Sequence, residues 1–347
     1  MKKIVKQAVG IDVAQKELVV SLGKMYDDWT LEVYAHKTFR NTEKGFISLV
    51  SWVKKLSRAE VSVRYVMEAT GVYHECLAYF LDEKSYEVTI VLPNKISSFM
   101  KTLDLKTVTD KTASEAIVRF GLERKLENWK RPPTVFKKLK QLTREREQIL
   151  HDRTGTKNQL HAERAEAEPN DSSIRRMKKR ILVLNAQEKE IREEINELLK
   201  QDSQLEKSVE LLCSLPGIAH LTAVTVLGET NAFELIRNKK QLTSYAGLDV
   251  KEKLSGTSVK GKPRISKRGN RYLRKALHFP ALAAIRTDDR FKSVFVRLVS
   301  KHGIKMKAAV AVQRKLLEMM YVLFKNNVSY DENYLQRENQ EKCVALN

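Results

Sequence analysis

The chain has 347 residues and carries 64 Lys and Arg against 43 Asp and Glu, a formal charge of +21. A surplus that large favours a nucleic acid or an anionic membrane surface as partner, but with no run of 18 apolar residues and no signal-like apolar core ahead of Asp12 a membrane loses ground. The length allows two domains; three widely separated cysteines, Cys76, Cys213 and Cys343, suit a reducing cytoplasm and offer no zinc-ligand spacing, and a DNA partner for the basic charge would place the chain at the nucleoid.

Ala8–Val13, Glu17–Leu22 and Leu31–Phe39 read as three successive strands. Glu43–Leu56 predicts an amphipathic helix with Phe46, Leu49, Val50 and Val53 on one side. Val61–Met67 and Glu87–Leu92 follow as strands, separated by a helix around Tyr73–Leu81, and a further helix runs from Thr109–Asp110 to about Phe120. Three strands followed by alternating helices and strands is the order of an RNase H-like fold, although pattern alone supports only an α/β domain, placed at residues 1–125.

Residues 130–212 have a different pattern. Ile174, Met177, Ile181, Leu184, Ile191, Ile195, Leu198, Leu205, Val209 and Leu212 step by threes and fours, with only Glu188 and Asp202 interrupting the seam. Leu139, Leu142, Ile149 and Leu160 keep a weaker register upstream, and Glu166–Ser173 is a strong loop signal. The expectation is an antiparallel coiled-coil hairpin, serving self-association or domain spacing. Residues 213–330 read as a mostly α-helical domain. It opens on Leu215-Pro-Gly-Ile218, which resembles half of a helix-hairpin-helix, and ends on a helical stretch, Phe291–Asn327. A polar tail occupies 331–347.

Three acids stand at the ends of elements. Asp12 ends the first strand, Glu68 the fourth, and Asp110 opens the later helix. Taken singly, Asp12 caps a turn, Glu68 pairs with Arg64 and Asp110 serves as an N-cap. Taken together in an RNase H-like sheet, where the first and fourth strands are neighbours, they form an oxygen-rich site for Mg²⁺ or Mn²⁺. Such ions orient a phosphate and stabilise charge on attacking and leaving oxygens.

From Lys251 to Lys275 there are ten Lys and Arg and a single acid, Glu252. Ser255, followed at once by Gly256, heads this field, which suits either a basic nucleic-acid-binding loop with an incidental serine or a nucleophile acting on a phosphodiester. Lys260, Lys262, Arg264, Lys267, Arg268, Arg271 and Arg274 can neutralise phosphates, and Asn270, Gly261 and Gly269 permit close backbone approach. Lys and Arg across 129–164 and 175–180 suit an RNA partner.

Val-Gly-Ile-Asp-Val13, Met-Glu-Ala-Thr-Gly-Val-Tyr73, Thr-Asp-Lys111, Leu-Pro-Gly-Ile218 and the run from Ala246-Gly-Leu through Ser255-Gly to Ile265-Ser-Lys-Arg-Gly-Asn-Arg-Tyr-Leu-Arg274 occur in that order. Together they resemble the insertion-sequence transposases with an N-terminal DEDD RuvC-like domain and a C-terminal serine domain, the IS one-ten and IS eleven-eleven family, over about residues 7–325. The resemblance implies a DNA recombinase that moves its own element with a structured bridge RNA as guide, acting on donor and target DNA as a dimer or tetramer. It assigns Asp12, Glu68 and Asp110 to Mg²⁺ (or Mn²⁺) and Ser255 to the covalent attack, with Ser258 second. The family pattern Thr-Asp-x-x-Asp-Ala has Ala113 at its fourth acid here, which leaves Glu115 as the possible substitute. Two other readings stay open: a metal-only RuvC-like nuclease or junction resolvase without a covalent serine intermediate, and a non-catalytic nucleic-acid-binding protein.

Overall fold

Three strands run back and forth at the start of the chain: β1 (Ile4–Val13), β2 (Glu17–Tyr26) and β3 (Leu31–Arg40). The computed structural model describes residues 2–331 except 70, 104–106, 108, 235, 252–253, 256–258 and 261–263, with 254, 255, 259 and 260 described by backbone alone. After β3 come α1 (Glu43–Leu56), β4 (Val63–Glu68), α2 (Glu75–Glu83), β5 (Glu87–Val91), α3 (Pro93–Met100) and α4 (Asp110–Glu123). The sheet order is β3-β2-β1-β4-β5, antiparallel among the first three strands and parallel for β1 with β4 and β4 with β5. That is the RNase H-like arrangement expected from the element order, and β1 begins at Ile4, four residues before its apolar run.

Side-chain alternation divides this sheet into two buried faces. Val9, Ile11, Val20, Leu22, Tyr65 and Met67 pack with Phe46, Leu49 and Val53 of α1 and Leu77 and Leu81 of α2. Ala8 and Met25 meet Val118 and Leu122 of α4, and Val66 meets Ile96 of α3 and Ile117 of α4. Each fully buried side chain of this size contributes about 1.5–3 kcal/mol. Glycines let α4 sit directly on the strands. A Cβ at Gly10 would lie 2.3 Å from the Ser114 carbonyl oxygen and 2.4 Å from the Val118 nitrogen, and one at Gly121 would lie 2.8 Å from Val66.

Gly10→Ala is therefore expected to cost at least ~2 kcal/mol, because backbone atoms of α4 must move to admit it. Gly155, inside an exposed helix with nothing within 4 Å of an added Cβ, is the control. Gly155→Ala should stabilise by up to ~1 kcal/mol. Chemical denaturation of the two variants checks both signs; equal effects would remove the close-packing account of α4.

The chain divides after Arg131, and Pro132 opens a second unit. Its first elements are α5 (Thr134–Ala165) and α6 (Asp171–Gln201), which pack along one another as a helical hairpin. Asn170 accepts from the Ser172 and Ser173 N–H groups to start α6. Glu188, the polar interruption in the apolar seam, is 7% exposed and receives Arg146 (2.8 Å), Arg153 (2.6 Å) and Arg192 (2.7 Å). Burial pushes its carboxyl up, yet the three guanidinium bonds outweigh that and hold it down at about 2.

The expected seam to Leu212 is not one helix. Asp202 ends α6 and caps α7 (Ser203–Cys213), accepting from the Gln204 and Leu205 N–H groups. Then follow α8 (His220–Thr230), α9 (Lys239–Ala246), the two-residue strands β6 (Val250–Lys251), β7 (Leu254–Ser255), β8 (Val259–Lys260) and β9 (Arg264–Ile265), and α10 (Arg271–Ala276), α11 (His278–Thr287), α12 (Asp289–His302) and α13 (Lys305–Asn326). The expected helical stretch over Phe291–Asn327 is interrupted at Gly303, whose φ of 68° ends α12. Leu139, Leu142 and Ile149 of α5 and Ile191, Ile195 and Leu199 of α6 share one core with Leu212, Val224, Leu227, Leu242, Leu273 and Leu317, so the hairpin base is continuous with the helices that follow. Among the described residues no helix is long and apolar enough to cross a membrane. The polar tail from 332 lies outside the described residues.

Candidate active site

The acidic site follows from strand pairing. β1 and β4 are parallel neighbours with Ile11 opposite Met67, so Asp12 and Glu68 leave the two strands side by side. Ile11 and Met67 belong to the face under α1 and α2, so alternation turns Asp12 and Glu68 to the face under α4. On that face α4 runs antiparallel to β1, with Ser114 over Gly10 and Gly121 over Ala8. Asp110 lies one helical turn before Ser114, which carries it toward Asp12.

The electrostatics agree. Burial raises the Asp12 carboxyl, and the nearby charges of Asp110 and Glu68 raise it further, to about 6, against a small opposing hydrogen bond from the Val13 backbone. Thr109 is the cap of α4, accepting from the Thr112 N–H while Thr112 Oγ1 accepts from the Thr109 N–H, and this leaves Asp110 as the first residue of the helix. Arg64 is engaged by Glu87 (2.5 Å) and Asn128 (2.7 Å).

Three carboxylates, two half-buried and one exposed, are a hard oxygen donor set that fits a divalent cation. Among the described residues no group of three or more His, Cys, Asp or Glu side chains is placed to hold a metal ion as it stands. The raised Asp12 carboxyl is the state that a bound cation relieves. Ala113 stands three residues after Asp110, on the same helical face, and brings no oxygen. Glu115 follows Ser114 and so lies about 100° around the helix from the line that meets the sheet. It is half-buried on the flank of α4 rather than on the face shared with Asp12.

In the second unit, Ser255 pairs through its backbone with Val259, β7 against β8. Its side chain, Ser258, Gly256, Gly261, Lys262 and the side chain of Lys260 lie outside the described residues. Arg264, Lys267, Arg268 and Arg271 are exposed, as a phosphate-binding role requires. Asn270 and Arg274 have partners within the fold. Asn270 Oδ1 accepts from the Tyr272 and Leu273 N–H groups to cap α10, and its Nδ2 donates to Glu229 at 2.6 Å. Arg274 is half-buried and donates to the Ala246 carbonyl at 2.7 Å.

Sequence reasoning missed the residue at the centre of this region. Glu229, at the end of α8, has a fully buried side chain and receives Arg144 in a two-pronged pair, Nε at 2.6 Å and Nη2 at 2.9 Å. Tyr245 donates its hydroxyl to the Glu229 carbonyl at 2.8 Å, and the Arg144 guanidinium lies 4.5 Å over the Tyr272 ring. The available signal was one acid ending the apolar run Ala223-Val-Thr-Val-Leu-Gly-Glu229.

Residues 209–295 match the model described as "Transposase IS116/IS110/IS902 family", and residues 9–163 match the IS110 DEDD model described as "Transposase". The pilin gene-inverting protein of Moraxella lacunata is 28% identical over 339 residues, covering 94% of this chain and 98% of that one. The protein of the same name from Moraxella bovis shows the same identity and coverage. The transposase for insertion sequence element IS1111A of Coxiella burnetii is 29% identical over 142 residues, 39% of this chain and 37% of that one.

Proposed function

We propose that this chain, which carries both transposase domains of the IS110/IS116/IS902 family, cuts and rejoins DNA during insertion-sequence transposition, guided by a bridge RNA and working as a homo-oligomer. The observation that supports the reading is the Asp12 carboxyl, raised to about 6 by burial and by the charges of Asp110 and Glu68. The Moraxella relatives, named for inverting a pilin gene, and the Coxiella relative, named as a transposase, support a reaction that both breaks and reseals strands.

In the proposed step Ser255 Oγ attacks the scissile phosphorus, a P–Oγ bond forms and the bond to the 3′ oxygen breaks. The serine proton passes to solvent or a carboxylate, and the departing oxygen takes up a proton to become a 3′-hydroxyl. Attack by a 3′-hydroxyl on the serine-linked phosphate reverses the exchange, so the phosphodiester energy is retained and no nucleotide is consumed. A divalent ion, Mg²⁺ or Mn²⁺, when bound, supplies charge stabilisation at the phosphate. Asp12, Glu68 and Asp110 hold it, and Arg264, Lys267, Arg268 and Arg271 neutralise flanking phosphates.

The test incubates the chain with end-labelled element-junction DNA, the flanking non-coding RNA and Mg²⁺, and looks for a denaturation-resistant protein–DNA adduct. Wild type should form it, and both Ser255→Ala and Asp12→Ala should not. Cleavage without an adduct, unchanged in Ser255→Ala and lost in Asp12→Ala, would mean a metal-only nuclease and would remove the serine from the mechanism.

A further inference from the structure

A second cationic surface lies beyond the serine segment. From Arg290 to Leu317 the sequence has eight Lys and Arg and not one acid. The turn between α12 and α13 concentrates them. Arg297, Lys301, His302, Lys305 and Lys307 are all exposed, and among the described residues none of the Lys or Arg in that group has a carboxylate partner. Other cations of this unit do have carboxylates: Arg144 has Glu229, Arg146 and Arg153 have Glu188, and Arg314 has Glu318. Among the described residues, the turn holds like charges together with no carboxylate paired to them.

The crowding registers on His302, whose pKa is lowered by local burial and then by the charges of Lys307 and Lys301. Aliphatic side chains stand among the cations, with Val296 53%, Ile304 55% and Met306 58% exposed. Self-repulsion of this kind costs free energy in the isolated chain and is offset when a polyanion supplies the counter-charge. A DNA duplex presents two rows of phosphate with sugar and base edges between them, and apolar side chains flanked by Lys and Arg fit that pattern.

We propose that the α12–α13 turn, through Arg297, Lys301, Lys305 and Lys307 with Ile304 and Met306 between them, is a docking surface for the backbone of a DNA duplex, separate from the serine segment. It lies past residue 295, where that family match ends. The inference rests on the DNA-handling reading above but needs no cleavage to be tested. It enlarges the duplex footprint beyond the scissile step and gives the chain an anchoring contact of little sequence preference.

The experiment uses the full chain in an Asp12→Asn background, where chemistry is absent and binding alone is read, so its outcome does not depend on whether an adduct ever forms. Fluorescence anisotropy with a labelled 30-base-pair duplex is followed from about 50 to 300 mM salt. Each lost phosphate contact removes about 0.9 from the slope of log K against log salt. The triple variant Lys301→Ala, Lys305→Ala, Lys307→Ala should lose about 2–3 in slope and about 10- to 100-fold in affinity near 100 mM salt. The matching triple change to Arg should restore both, which excludes a folding defect. An unchanged slope in the alanine triple overturns the proposal. So does loss of binding to phosphatidylserine vesicles with duplex binding intact, which would make the turn a membrane contact instead.

Discussion

Asp12→Asn is expected to abolish strand cleavage, by about 1,000-fold or more, while making the metal-free chain more stable at pH 7.5. Both effects come from the same cause. Folding places Asp12 where burial, Asp110 and Glu68 all disfavour its charge, raising its carboxyl from 3.8 to about 6. Between these values the folded chain holds a proton that the unfolded chain has released, so stability falls as pH rises through that window and the loss is complete above it. The full shift corresponds to about 3 kcal/mol. Asp12 is only half-buried, so about 1–2 kcal/mol is expected from the substitution.

Thermal melts in chelator from pH 4 to 8 check this. The gap between wild type and Asp12→Asn should open as pH climbs from about 4 to 6 and stay constant beyond. A gap independent of pH would mean that Asp12 is not strained by its neighbours. The cleavage rate of wild type, measured with the metal present, should rise about tenfold per unit below pH 6, where a proton competes with the cation for the carboxylate, and then level off.

The first unit was legible in the sequence because its rules are local. The helical spacing of Phe46, Leu49, Val50 and Val53 places α1 at the residues expected, Glu43–Leu56, and the strands of the sheet fall on the apolar runs. The acidic site was legible for a related reason: Asp12, Glu68 and Asp110 sit at element ends, and topology alone brings element ends together. What escaped depends on partners distant in sequence. Periodicity counted Asp202 as a flaw in one long seam, whereas its carboxylate caps a new helix. Charge counting assigned Arg274 to phosphates along with its exposed neighbours, because composition cannot separate a solvated cation from one that donates to a carbonyl 28 residues away. Gly10 read only as part of a motif, and its role is to let α4 lie against β1.

Glu229 carries the largest expected stability effect in the second unit. Its carboxylate accepts both from the Arg144 fork and from Asn270 Nδ2, and Asn270 in turn holds the first N–H groups of α10 and donates its own N–H to the Tyr245 carbonyl. Arg144 of α5 and Asn270 at the start of α10 thus converge on the carboxylate at the end of α8, while Tyr245 of α9 bonds the Glu229 backbone carbonyl. Removing it leaves a cavity, an unmatched guanidinium and an amide without its acceptor. Breaking one side of a fully buried pair costs about 3–5 kcal/mol; Arg144 is 40% exposed and can recover water, so about 3 kcal/mol is expected for Glu229→Ala. Glu229→Gln keeps the volume but points an NH₂ group toward donors, so it should recover less than half of that loss. The coupling distinguishes a shared network from independent contacts. Asn270→Ala combined with Glu229→Ala should fall short of the sum of the single effects by about 1 kcal/mol, because either change alone already breaks their bond. Denaturant unfolding of the four proteins in the cycle measures this, and strict additivity would show that Asn270 holds α10 without help from Glu229. Since α10 and α9 bracket the segment that carries Ser255, the same cycle measures how firmly the fold holds the two ends of that segment.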